Sequence, residues 1–188
     1  MALLKRFEKL LLPQTTALLI IDVQERILPV IRNHKNVVQN TLKLIKGFKV
    51  MSLPIFVTEQ YPKGLGRTTA ELKTELSDAE YFEKMSFSCF GATELFNKFE
   101  KKNLTQIVIT GVETHVCVQQ TVLDLLENGL QVNVAADAVS SRRETDYTVA
   151  LNRMQDHGAE ITTVESILFE LLNVCGTDTF KKVSKIVK

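Results

Sequence analysis

Cys117, Asp22 and Lys84 are the residues of this 188-residue chain whose types and positions suit covalent chemistry. Cys117 lies in LTQIVITGVETHVCVQQTVLDLLENG, residues 104–129, where an apolar β-branched run gives way to a helical pattern. Leu104 to Thr110 reads as a strand covered on both faces, and Gly111 ends it. From about His115 the period changes, with Val118, Val122, Leu125 and Leu126 on one stripe and Asn128-Gly129 as the stop. This places Cys117 in the first turn of a helix. Unpaired N–H groups and the helix dipole there favour a thiolate, which is the nucleophilic form of cysteine.

A thiol needs a base or a cationic neighbour to attack carbon near neutral pH. Asp22 can take the proton and return it to a leaving amine. Lys84 can hold the carboxylate and stabilise the thiolate. Backbone N–H groups of Cys117 and of the Gly111–Thr114 turn are candidate donors to an oxyanion. The implied reaction is acyl transfer to sulfur followed by hydrolysis. Each residue alone has a plainer reading: a small buried hydrophobe for Cys117, a chain cap for Asp22, a solvated surface lysine for Lys84. The chemistry rests on the three together.

Other residues carry weaker signals. Gln24 and Gln60, both just beyond strand ends, are candidate substrate-binding groups. Lys63 and Arg67 lie on a Gly-containing loop, which reads as solvated and, in the alternative, as an attractor of anions. His115 reads as a solvent-facing residue at the helix start. Ser140, Ser141 and Arg142 read as the beginning of the next helix, and Cys89 and Cys175 as structural cysteines without charged neighbours. GLG at 64–66 lacks the strand and helix context of a phosphate-binding loop.

The elements that must position these residues alternate throughout the chain. Strand patterns cover 17–22, 54–58, 81–87, 104–110, 130–136 and 160–163. Helical patterns cover 33–51, 70–76, 92–101, 115–128, 145–157, 164–173 and 177–187. Such alternation predicts an α/β fold, a single three-layer domain with a six-stranded, mainly parallel sheet and helices on both faces. With strand order 3-2-1-4-5-6, Asp22 and Cys117 face each other where the order reverses, the usual ligand crevice of such sheets.

One domain suits the length, and a chain of this size buries about 70% of the surface of its unfolded form. A formal charge of +1 and the absence of a long basic block give no case for a nucleic-acid partner. No apolar run approaches the ~20 residues that span a bilayer. Three cysteines do not make a disulfide framework, so a reducing, cytoplasmic setting is expected. Residues 1–14 read as an N-terminal extension or short helix packed on the domain, and an organelle-targeting role for them stays open.

Asp22 in LLIIDVQ, Lys84 in FEKMSFS and Cys117 in GVETHVCV resemble the Asp-Lys-Cys triad of the isochorismatase-like cysteine hydrolases. That superfamily also contains nicotinamidases and N-carbamoylsarcosine amidohydrolases. TEQYPKGLG at 58–66, GVETHVCVQQT at 111–121 and ADAVSSR at 136–142 are similar to the branch named isochorismatase domain-containing proteins. The resemblance runs from Ala17 to the last helix. It implies a non-proline cis peptide between Val112 and Glu113, aiming the N–H of Glu113 with that of Cys117 at the oxyanion. It also implies a small-molecule substrate and a homo-oligomer, a dimer or tetramer. Nicotinamidases of this superfamily hold a metal through an Asp-x-His motif after the second strand. Here that stretch has no histidine, and His34, His115 and His157 lack ligand spacing, so neither a metal nor another cofactor is expected. The intact triad points to C–N bonds of non-peptide amides. The alternatives are a non-catalytic interaction module and a thiol redox sensor that retain the fold.

Overall fold

The computed structural model describes residues 6–188. Six strands form one sheet: β1 (Thr16–Ile21), β2 (Ile55–Gln60), β3 (Glu80–Lys84), β4 (Gln106–Val112), β5 (Gln131–Ser140) and β6 (Glu160–Thr162). Their spatial order is 3-2-1-4-5-6 and every pairing is parallel. The connecting helices are α1 (His34–Val50), α2 (Pro62–Leu65), α3 (Ala70–Lys73), α4 (Thr93–Lys101), α5 (Gln119–Glu127), α6 (Glu144–Asp156), α7 (Val164–Leu172) and α8 (Asp178–Val187).

The alternation of β1 explains the layers. Ala17, Leu19 and Ile21 point to one face, where they pack with Leu95 and Phe99 of α4, Val122 and Leu125 of α5 and Met154 of α6. Leu18 and Ile20 point to the other, against Leu44, Ile45 and Phe48 of α1 and Ile167, Leu168 and Leu171 of α7. All six residues of β1 and all seven of β4 are buried, as expected of central parallel strands with helices on both faces.

Several local expectations are corrected. Gly111 continues β4 instead of ending it, at φ +124°. A Cβ there would lie 2.0 Å from the carbonyl oxygen of Ile21, so glycine is what lets β4 approach β1. The third strand stops at Lys84, short of Phe87. The ammonium of Lys84 donates to the carbonyls of Ser86 and Phe87, which curls the chain back over it. Residues 6–15 form turns, with no helix. There the Gln106 carboxamide accepts from the Leu12 N–H and donates to the Leu10 carbonyl, replacing helical bonds. Residues 1–5 of the predicted N-terminal segment lie outside the described residues. The helix at Cys117 begins with a π-helical turn, Thr114–Val118, and becomes α-helical only at Gln119. Among the described residues no helix is long and apolar enough to cross a membrane.

Candidate active site

Register brings the chemistry to one edge of the sheet. Ile21 pairs with Thr58 on one side and with Gly111 on the other, and Gln60 pairs with Lys84. Asp22, Gln60, Lys84 and Val112 therefore leave the carboxyl ends of four neighbouring strands at nearly the same height. Asp22 takes the left-handed backbone conformation (φ +54°) as the chain leaves β1, a conformation that aspartate tolerates better than most residues.

Lys84 and Asp22 are separated by β2, two strand spacings or about 10 Å of sheet. The long lysine stem spans that gap, and Nζ lies 2.6 Å from Asp22 Oδ2 with both side chains almost fully buried. On the way Nζ donates to Gln60 Oε1 at 2.8 Å, and to the carbonyls of Ser86 and Phe87 at 3.2 and 2.9 Å. Four acceptors for three protons leave this ammonium saturated. The other carboxylate oxygen of Asp22 accepts from Thr58 Oγ1 at 2.8 Å. Burial pushes the Lys84 ammonium down, but the charges of Asp22, Cys89 and Cys117 and the hydrogen bond to Asp22 raise it, and the net direction is up. The lysine stays charged.

Cys117 Sγ lies 3.9 Å from Gln60 Oε1. Burial raises the thiol well above its ordinary value, the Asp22 carboxylate raises it further, and Lys84 offsets only part of this. The helix-start argument for an acidic thiol therefore fails. A π turn replaces the first α-turn, and burial together with the carboxylate beside the sulfur outweighs what the helix dipole offers. The sulfur rests as a thiol beside the Asp22 carboxyl group.

Asp22 and Cys117 line one cavity of about 140 Å³ together with Ile27, Gln60, Leu65, Phe87, Val112, Glu113 and Val116. Larger depressions lie elsewhere, one of about 210 Å³ beside Asn36 and Asp137 and one of about 350 Å³ beside Leu53 and Glu80. Neither contains a thiol, so size is a poor guide here and the chemistry picks the smaller cavity. The Val112–Glu113 peptide is cis. The carboxylate of Glu113 turns to Arg142, accepting from its backbone N–H at 3.0 Å and from Nε at 3.1 Å.

The remaining candidates divide. Gln24 is fully buried, and its carboxamide donates to the carbonyls of Gln60 and Gly66 and accepts from the Gln60 N–H. It clamps the loop carrying α2 and is not part of the cavity wall. Gln60 is in that wall, but its side chain is engaged by Lys84 and by the Met85 carbonyl. Arg67 pairs with Glu59 and Glu83, and Lys63 stands outside the cavity. His115 is half-buried, with Nδ1 3.0 Å from Ser141 Oγ. Ser140 ends β5 and donates to the Arg32 carbonyl.

Cys89 is the residue that sequence reasoning misplaced. It is fully buried and donates weakly, at 3.8 Å, to the Thr58 hydroxyl that holds Asp22. It therefore stands behind the carboxylate, within reach of its charge. No sequence signal marks it, because the contact runs through β2. Among the described residues no three His, Cys, Asp or Glu side chains converge as a metal cage.

A model of the isochorismatase domain matches residues 16–166. Isochorismatase family protein 1B of Dictyostelium discoideum is 40% identical over 183 residues, spanning 95% of this chain and 88% of that protein. Among solved structures, the MAR1 ribonuclease of Caenorhabditis elegans superimposes with a TM-score of 0.88 at 38% identity, covering 94% of this chain and 91% of that one. The YcaC gene product of Escherichia coli, described as an octameric hydrolase of unknown specificity, gives 0.89 at 26% identity, covering 97% and 91%.

Proposed function

The chain belongs to the isochorismatase domain family, and from that premise we propose that it is a cysteine hydrolase acting on the C–N bond of a small amide. The observation that carries this reading is the shared cavity. A thiol and a buried, lysine-paired carboxylate open onto the same space.

In this scheme Asp22 accepts the Cys117 proton as sulfur attacks the carbonyl carbon, because a neutral thiol is a poor nucleophile by itself. The carbonyl electrons move to oxygen, which the N–H groups of Glu113 and Cys117 receive. Collapse expels the amine, which takes the proton back from Asp22 and leaves a thioester. Asp22 then deprotonates water, which attacks the thioester, and the departing sulfur recovers a proton as the acid leaves. Lys84 touches neither substrate nor sulfur. It is a positioning residue that holds the carboxylate in place. The octameric relative supports a homo-oligomer for this chain.

The test is intact-mass spectrometry after incubation with a pooled library of small amides and esters. A mass added at Cys117 in the wild type, and absent in Cys117→Ser and Asp22→Asn, supports the proposal. Turnover that survives Cys117→Ser rejects it.

A further inference from the structure

The walls of the cavity say which acyl groups it takes. Ile27, Leu65, Phe87, Val112 and Val116 give an almost wholly apolar lining around the reacting thiol. The charged and carboxamide side chains around it are already engaged. The Lys84 ammonium is saturated by four acceptors, the Glu113 carboxylate is held by Arg142, and both ends of the Gln60 carboxamide are bonded. Arg67 is tied to Glu59 and Glu83. Among the described residues no cation lines the cavity, while the Asp22 carboxylate does face it. A substrate carrying its own carboxylate would lose its hydration, find no counter-ion and meet a like charge.

Volume sets the second limit. About 140 Å³ is close to the roughly 150 Å³ apolar cavity that holds one benzene, six heavy atoms, which suits a primary amide with an acyl chain of about four carbons. Leu65, on the loop that Gln24 clamps, and Phe87, which the curl over Lys84 brings back, stand at its wall. Resting on the hydrolase reading for its location, we propose that this site selects short, uncharged aliphatic acyl groups and excludes carboxylates, with Leu65 and Phe87 setting the length limit.

The proposal is tested by binding, so that it does not depend on turnover. Calorimetry on the Cys117→Ser protein compares butyramide, hexanamide and succinamate, the last matching butyramide in length but ending in a carboxylate. Butyramide is expected to bind at least about tenfold more tightly than either, the low end of what one excess methylene costs in a fitted pocket. Phe87→Ala and, separately, Leu65→Ala should narrow the gap for hexanamide and leave succinamate weak. Succinamate binding as well as butyramide, hexanamide binding equally in the unaltered pocket, or no binding of butyramide overturns the proposal. Selective binding of butyramide without hydrolysis by the wild type would instead overturn only the enzymatic reading.

Discussion

Replacing Lys84 with methionine tests whether the buried ion pair holds the site together. The apolar stem survives and the ammonium goes. Asp22 is left with a side chain 3% exposed and the Thr58 hydroxyl as its remaining side-chain hydrogen-bond partner. Breaking a buried pair from one side costs about 3–5 kcal/mol, because an uncompensated charge stays inside. The protein has one escape, which is to protonate the carboxyl. For an ordinary aspartate at pH 7 that costs about 4 kcal/mol, roughly three pH units at 1.36 kcal/mol each, and so caps the penalty. The carbonyls of Ser86 and Phe87 add little, since both lie near enough to the surface for water to replace the lysine.

The expected loss at pH 7 is therefore about 4 kcal/mol, a large share of the ~5–15 kcal/mol that stabilises a typical domain. It should shrink by about 1.4 kcal/mol for each pH unit below 7, as protonation becomes cheaper. Adding Asp22→Asn to Lys84→Met removes the stranded charge and should recover about 2 kcal/mol or more of the single variant's loss. Urea unfolding followed by circular dichroism at pH 7 and 5.5 reads all three quantities. A loss under about 1 kcal/mol, or no rescue by the second substitution, would refute the reasoning, since a pair that costs nothing to break is not desolvated.

Alkaline pH should weaken the fold for a related reason. Burial, with Asp22 adding and Lys84 opposing, pushes the Cys89 thiol from 9.0 up to about 11. A raised group gives stability that is present in full below the unfolded value and lost as pH passes the folded one. The window is thus pH 9 to 11, and the loss about 3 kcal/mol. Cys117 and Lys84 shift in the same direction. Cys89→Ala should flatten the fall of unfolding free energy over this range, and an unchanged slope would contradict the assignment. Gly111→Ala should cost more than about 4 kcal/mol or prevent folding, because its Cβ would meet the Ile21 backbone at a φ hostile to alanine. A soluble variant with unaltered melting temperature would show that β4 and β1 can separate there.

The periodicity of the chain is enough to locate six strands along it, because central parallel strands are uninterrupted apolar runs, while the spatial order 3-2-1-4-5-6 comes from the usual doubly wound arrangement. It was least informative where side chains override local preference. The third strand reads on to Phe87, but a lysine donating to two carbonyls bends it away. Gly111 reads as a stop because its use lies in the neighbouring strand. Asp22, Lys84 and Cys117 could be nominated from type and position, yet nothing in the spacing says that Gln24 is a clamp. Its partners, Gln60 and Gly66, are 36 and 42 residues away. Cys89 escapes for the same reason, since its link to Asp22 passes through Thr58.

The raised thiol is the point at which the local argument and the tertiary one disagree most, and the disagreement bears on mechanism. An acidic thiolate would be reactive toward any electrophile that reached it. A neutral thiol beside a carboxylate is different: in the proposed scheme charge appears on sulfur only as the proton moves to Asp22, and that transfer becomes worthwhile only when a bound carbonyl can take up the electrons. The Lys84 pair is suited to this arrangement, because an ammonium bonded to Asp22 and two residues' carbonyls stabilises the base without contacting the nucleophile. Under the proposed scheme, selectivity would come from the acyl group fitting the apolar wall in line with Cys117 rather than from intrinsic sulfur reactivity. On that view, substitutions at Leu65 and Phe87 alter which substrates react, while those at Asp22 and Lys84 alter whether any do.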